Sequence, residues 1–158
     1  MSDEKKCSIV VFSGDMDKVM AGFIIATTAA SMGMETSMFF TFWGLKAVQK
    51  GNLTGDGLLG RMMGVMNRGG IDRIGPSRFN FGGMGRWMFK KMMKQKDVVS
   101  LPELRQTAID LGITLQSCLM SMDVMGVTQE DLIDEIDASV GAATFVLQAQ
   151  ESDITLFI

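Results

Sequence analysis

The sequence predicts a three-layer α/β/α sandwich on a mainly parallel sheet, broken by a glycine- and methionine-rich helical insertion. Three observations lead there. Short β-branched or aromatic runs (KCSIVVF, ETSMFFTFW, ITLQSC, DITLFI) alternate with segments whose apolar residues recur at helical spacing. The succession strand, turn, helix, strand is a βαβ unit, which requires a parallel sheet and a right-handed crossover. Residues 51–97 differ in composition from everything around them. With 158 residues, 47% hydrophobic and 21% charged, the chain can bury a core as one domain spanning 1–158, with the insertion at about 51–97.

The first strand, residues 6–12, runs into the turn residues Ser13-Gly14-Asp15. From Met16 the residues Val19, Met20, Phe23, Ile24 and Thr27 follow i, i+3, i+4 spacing, so a helix starts there with Asp15 or Ser13 as N-cap and stops at Gly33. The uncharged stretch Val19–Met34 falls short of the ~20 residues of a membrane span and is followed by Glu35, so it reads as a buried helix. ETSMFFTFW, 35–43, is the second strand. Pro102 and Glu103 in a first turn and Gly112 at the stop predict a helix over about 101–111, and ITLQSC is the next strand. Thr128 with Asp131 has the form of a capping box, predicting a helix through Ile136. A further helix over 139–150 and a last strand, DITLFI, complete the alternation.

The insertion holds eleven of the eighteen glycines and seven of the sixteen methionines. Its nine Lys/Arg against three Asp give a net of +6, leaving six basic and fifteen acidic residues elsewhere, a net of −9. Arg61, Met62, Met63 and Met66, and then Trp87, Met88, Lys91 and Met92, predict two short amphipathic helices. Methionine-rich amphipathic helices suit adaptable apolar contacts, so a homo-oligomer interface is the favoured reading. A membrane surface is second. Nucleic acid comes last, because a pI near 4.9 does not suit a dedicated binder.

Absences narrow the chemistry. There is no histidine, which removes imidazole-based triads and acid–base catalysis. Two cysteines alone cannot complete a zinc site, and no metal or cofactor is expected. GDGLLG, 55–60, matches a dinucleotide fingerprint only formally, since it does not follow a strand and lacks the downstream acid. The N-terminus has no signal-peptide pattern, so a reducing cytoplasm is the expected setting. Cys7 opens the first strand and Cys118 ends the third. That separates them by ~15–20 Å across a parallel sheet, whereas a disulfide spans at most ~7 Å between Cα atoms. Cys7 therefore reads as structural.

Cys118 is the candidate catalytic residue. It stands at the carboxyl end of a parallel strand, where ligands of open α/β sheets bind, and backbone N–H groups of residues 119–122 could favour its thiolate. The opposing reading is a buried cysteine acting as a small hydrophobe. SGDMDK, 13–18, faces the same crevice. There Asp15 and Asp17 favour capping over anion binding, while Lys18 could place a positive charge near a thiolate.

Taken together, IVVFSGDMDK, the Gly/Met-rich insertion, and LQSCLMSMDVMG before TQEDLID resemble the DsrE/DsrF-like family along essentially the whole chain, and more narrowly its stand-alone DsrE-like members. The resemblance implies a DsrEFH-like α/β/α fold, oligomeric assembly, and intracellular sulfur trafficking with sulfur carried as a cysteine persulfide. Cys118 matches the sulfur-bearing position. Ser13, Gly14, Lys18 and Ser121 are the candidates to stabilise the sulfur anion, and the implied partners are sulfur donor and acceptor proteins. Any enzymatic activity would be persulfide transfer. The insertion departs from the shortest members, so their assembly geometry does not carry over. The label "peroxiredoxin-like" finds no Thr-x-x-Cys motif here. The alternative is a non-catalytic oligomeric module that binds a small anion in the crevice or docks a partner through the insertion.

Overall fold

In the computed structural model, which describes residues 4–158, strands β1 (Lys6–Val11), β2 (Glu35–Phe40), β3 (Thr114–Cys118), β4 (Ala138–Val140) and β5 (Ile154–Phe157) form one sheet. Every pairing is parallel and the order is β4-β3-β2-β1-β5. Helices α1 (Met16–Ser31), α2 (Gly57–Met66), α3 (Met84–Gln95), α4 (Leu101–Asp110), α5 (Leu119–Met125) and α6 (Ala142–Gln150) lie between them.

The strand order explains the layers. The connections β1–α1–β2 and β2–α4–β3 step along the sheet in one direction, whereas β4–α6–β5 returns across three strands in the other. Right-handed crossovers then put α1 and α4 on one face and α6 on the opposite one. The core agrees. Ile9, Val11, Met38, Phe40 and Leu115 meet Val19, Phe23 and Ala26 of α1 and Leu101, Leu104 and Ala108 of α4. On the other face Val10, Phe39 and Cys118 meet only Phe145 of α6, with Val140 and Ala149 at the margin. The second outer layer is thus a single nine-residue helix.

Helix α1 buries Met16, Val19, Gly22, Phe23, Ala26 and Ala29, the stripe its spacing predicts. Asp15 is its N-cap residue, but its carboxylate makes no capping bond and instead takes the Ser13 hydroxyl and the Lys18 ammonium. Helix α4 opens with a complete Ser100–Glu103 capping box. The Thr128–Asp131 capping box also forms, yet it starts only a single 3-10 turn, Gln129–Asp131, and not a helix through Ile136. The chain there is drawn into pairing with the segment before the insertion: Gln49 bridges Leu132, and Ile133 N–H donates to Val48 O. The helix expected over 139–150 begins only at Ala142, because Ala138–Val140 pairs with β3 as the edge strand β4.

The insertion supplies α2 and α3, and its middle is anchored to the body. Ile71 and Ile74 are buried, Met16 N–H donates to Gly75 O at 2.8 Å, and the Asp17 carboxylate accepts from Ser77 N–H and Oγ, both at 2.8 Å. Burial pushes the Asp17 carboxyl up, but those two bonds outweigh it and hold it below its ordinary range. The helices themselves leave Leu58, Leu59, Met66, Trp87 and Met88 exposed. No helix of the described residues is long and apolar enough to cross a membrane.

Candidate functional site

Helix α5 follows strand β3 with no residue between them. Cys118 is the last strand position and the N-cap of α5, with extended backbone (φ −84°, ψ 116°). The first N–H groups of a helix have no intrahelical acceptor, so the turn after the strand presents donors toward the sulfur. Gly126 closes α5 in the left-handed region (φ 62°), where its carbonyl accepts from Gly55 N–H at 3.0 Å. A Cβ on Gly126 would lie 2.7 Å from Gly55 Cα, so α5 is seated directly on the start of the insertion.

The register of β2 on β3 sets Phe40 beside Ser117, which brings Thr41 next to the start of α5. Thr41 Oγ1 and Ser121 Oγ lie 2.7 Å apart, and Ser121 is fully buried. Burial alone pushes the Cys118 thiol up. The Ser121 hydroxyl and N–H, the Thr41 hydroxyl and the Met120 N–H together outweigh that and bring it below its ordinary value. Cys7 has burial but no such donors, and its thiol is pushed up. The two cysteines are both free and both buried, 6% exposed at Cys118 and 1% at Cys7, yet their chemistry diverges in direction. Thiolate character is what separates a reactive cysteine from an inert one.

The sulfur has little exposed surface. Phe39 and Phe145 stack at 5.1 Å between ring centroids beside it, and Val10 and Val140 fill the remainder. On the solvent side α5 turns Leu119, Met120 and Val124 outward, next to the thiol.

The other residues singled out from sequence stand in a neighbouring place. Ser13 and Gly14 follow β1, two strands from Cys118, on the order of 10 Å at ordinary strand spacing. The Ser13 hydroxyl is bonded to Asp15, and Lys18 Nζ pairs with Asp15 at 3.0 Å. A Cβ on Gly14 would come within 2.6 Å of the Trp43 carbonyl, so that turn packs against the segment after β2. Of the four residues named beside the cysteine, the structure brings Ser121 to the sulfur and collects Ser13, Gly14 and Lys18 in a cleft with Phe12, Asp15, Trp43, Lys46 and Asn67. Sequence reasoning missed Thr41 and the helical nature of 119–125. The Gly126 stop, eight positions after the strand ends at Cys118, was the available signal for that helix. Among the described residues no three Cys, Asp or Glu side chains converge to hold a metal ion.

Residues 3–157 match the DsrE/DsrF/DrsH-like family. The chain belongs to that family. The uncharacterized protein YrkE of Bacillus subtilis (strain 168) is 42% identical over 156 residues, 98% of this chain and 97% of its own length. The sulfur carrier protein DsrE2 of Allochromatium vinosum is 34% identical over 163 residues, 99% of each chain. Both matches run through the 51–97 block, so this member of the DsrE/DsrF/DrsH-like family shares its insertion-bearing length with these relatives. The ychN protein of E. coli has the same fold: its crystal structure superposes with a TM-score of 0.57 at 10% identity, covering 98% of this chain and 99% of that one. Membership, with one relative named for carrying sulfur, supports a sulfur-relay role at the level of the family.

Proposed function

We propose that this protein carries sulfane sulfur as a persulfide on Cys118. The observation that carries the reading is the set of donors around that sulfur: the paired Ser121 and Thr41 hydroxyls, one of them free to donate at a time, and two backbone N–H groups favour its anion, while the chain's other thiol is pushed the opposite way. The Cys118 thiolate attacks the outer sulfur of a donor persulfide. A new S–S bond forms, the donor's S–S bond breaks, and the donor departs as its thiolate, with no external oxidant. Handing the sulfur on is the same exchange in reverse, with an acceptor thiolate attacking the outer sulfur on Cys118. Neither step needs an imidazole base, because a thiol held below its ordinary pKa ionises without one. Ser121, Thr41 and the N–H groups of residues 120 and 121 hold the charge that develops on Cys118 when it is released.

Access comes through α6. Only Phe145 of that helix is buried, so it is the least anchored layer of the fold, and opening of such an element costs less than global unfolding. The exposed Leu119, Met120 and Val124 then offer a partner an apolar ridge beside the thiol. Two free cysteines suit a reducing compartment such as the cytoplasm.

The test is intact mass. Incubation with a persulfide donor should add ~32 Da, one sulfur, to the protein and nothing to Cys118→Ser. An adduct that survives in Cys118→Ser refutes the assignment.

A second role rests on the insertion. Its exposed Leu58, Leu59, Met66 and Trp87 are combined with a net charge of +6 against −9 elsewhere, a pairing that favours a second copy of this chain as the covering partner.

A further inference from the structure

A cleft after β1, two strands from the thiol, holds a positive charge that makes no ion pair among the described residues. In the order β4-β3-β2-β1-β5 the chain moves one way from β1 to β2 and the other way from β4 to β5, so the direction of winding reverses between β1 and β5. Ligands of open α/β sheets bind outside the carboxyl ends of strands at such a reversal. The residues following β1 lie there, in a cleft of about 410 Å3 lined by Ser13, Gly14, Lys18, Trp43, Lys46 and Asn67, with Phe12 and Asp15 completing it.

The charges in this cleft are unequal. Asp15 is engaged by Lys18 at 3.0 Å and by the Ser13 hydroxyl at 3.2 Å, so its charge is met from its own turn. Lys46 is half-buried, and the ion pairs among the described residues use Lys6, Lys18 and Lys50 but not Lys46. Burial pushes its ammonium down, with Asp15 opposing at longer range. A partly desolvated ammonium without a close counter-charge is costly in isolation and is relieved by a bound anion. Asn67 also lines the cleft, and its carboxamide is a neutral donor. Gly14 lets the turn after β1 pack closely against the segment after β2, since a Cβ there would lie 2.6 Å from the Trp43 carbonyl and 3.2 Å from the Lys46 stem.

We propose that this cleft is a binding site for a small oxyanion, with Lys46 as its cationic anchor and Asn67 as a second donor. The site is distinct from Cys118 and does not depend on persulfide chemistry there. It would recognise the anionic part of a small molecule that reaches the carboxyl edge of the sheet.

Trp43 lines the cleft and is 40% exposed, so its fluorescence reports occupancy once the other tryptophan is removed as Trp87→Phe. The titration is made on Cys118→Ser, Trp87→Phe protein with sulfate, phosphate or acetate, each against chloride at equal ionic strength. Binding and the persulfide reading can therefore fail separately. The expected result is a saturable change for at least one of the three. It should weaken at least about tenfold in Lys46→Gln and be retained in Lys50→Gln, whose lysine pairs with Asp134 outside the cleft. Lys46→Arg should keep part of the affinity, which separates loss of charge from loss of fold. No saturable change with any of the three anions, or equal binding in Lys46→Gln, overturns the proposal.

Discussion

Ser121 and Thr41 together should decide how readily Cys118 ionises, and their geometry says that one alone will not. Their oxygens are 2.7 Å apart, so one of their two protons lies between them and only one O–H at a time is free for the sulfur. Ser121→Ala deletes one oxygen but releases the Thr41 proton to turn toward Cys118, so the charge-assisted bond is largely kept. Thr41→Val with Ser121→Ala removes it. A hydrogen bond to a charged group contributes about 1.5–3 kcal/mol. On the acidic limb of the profile the thiolate fraction should therefore fall by roughly ten- to a hundredfold in the double variant, and only a few-fold in the single one. The assay is the rate of Cys118 alkylation against pH, read by peptide mass, with the burial-raised Cys7 as internal comparison. A second readout follows from linkage. A folded-state pKa held below the unfolded one adds stability above the unfolded value, and that contribution is lost as pH falls through the folded one. Wild type should thus gain on the double variant as pH rises from the depressed folded-state pKa to the ordinary thiol value of about 8.5, measured by denaturant unfolding at pH 6 and 9. A double variant whose alkylation profile sits at or below the wild-type inflection refutes the hydroxyl account.

Three further outcomes are expected. Gly44→Ala should destabilise by about 3–5 kcal/mol in urea unfolding, because its Cβ would run into the Val11 carbonyl, and a cost below about 1 kcal/mol would mean that strand end can move. Phe145→Ala should speed Cys118 alkylation at the plateau of its pH profile by loosening α6, and an unchanged plateau rate removes α6 as the covering element. Leu58, 88% exposed, should accept lysine at a cost within about 0.5 kcal/mol if the surface is free. In an assembly built on the insertion, the same Leu58→Lys change lowers the sedimenting mass, and an unaltered mass takes α2 out of the interface.

The fold was legible wherever local pattern and tertiary demand agree. The α1 stripe, the Gly33 stop and the α4 helix, with Pro102 and Glu103 in its first turn and Gly112 at its end, are all read from residues close together in the chain, and each forms as the spacing implies. The failures share one physical cause. Leu132, Ile133 and Ile136 have helical spacing and follow a genuine capping box, but all three are core residues, and Leu132 and Ile133 are held by pairing to Gln49 and Val48, some eighty positions earlier. Strand β4 is three residues long, too short for alternation to register, and only its register on β3 identifies it. Where a distant backbone supplies the hydrogen bonds, local propensity loses.

The same distinction divides the site. Cys118, Ser121 and the N–H groups that follow are contiguous, so the sequence could present them as a group. Thr41 reaches the sulfur only because β2 lies beside β3, and Lys46 reaches Gly14 only because the turn after β1 packs on the segment after β2. Neither adjacency is written in any local pattern, since strand order is decided by which apolar faces bury together. The consequence is chemical. The contiguous half of the site supplies backbone donors that any strand-to-helix turn would offer, whereas the Thr41 hydroxyl comes from the neighbouring strand. The comparison of Thr41→Val and Ser121→Ala therefore separates what the turn provides by itself from what the assembled sheet adds. If Thr41→Val alone leaves the thiol as acidic as in wild type while Ser121→Ala does not, the acidity belongs to the turn and the sheet merely carries it.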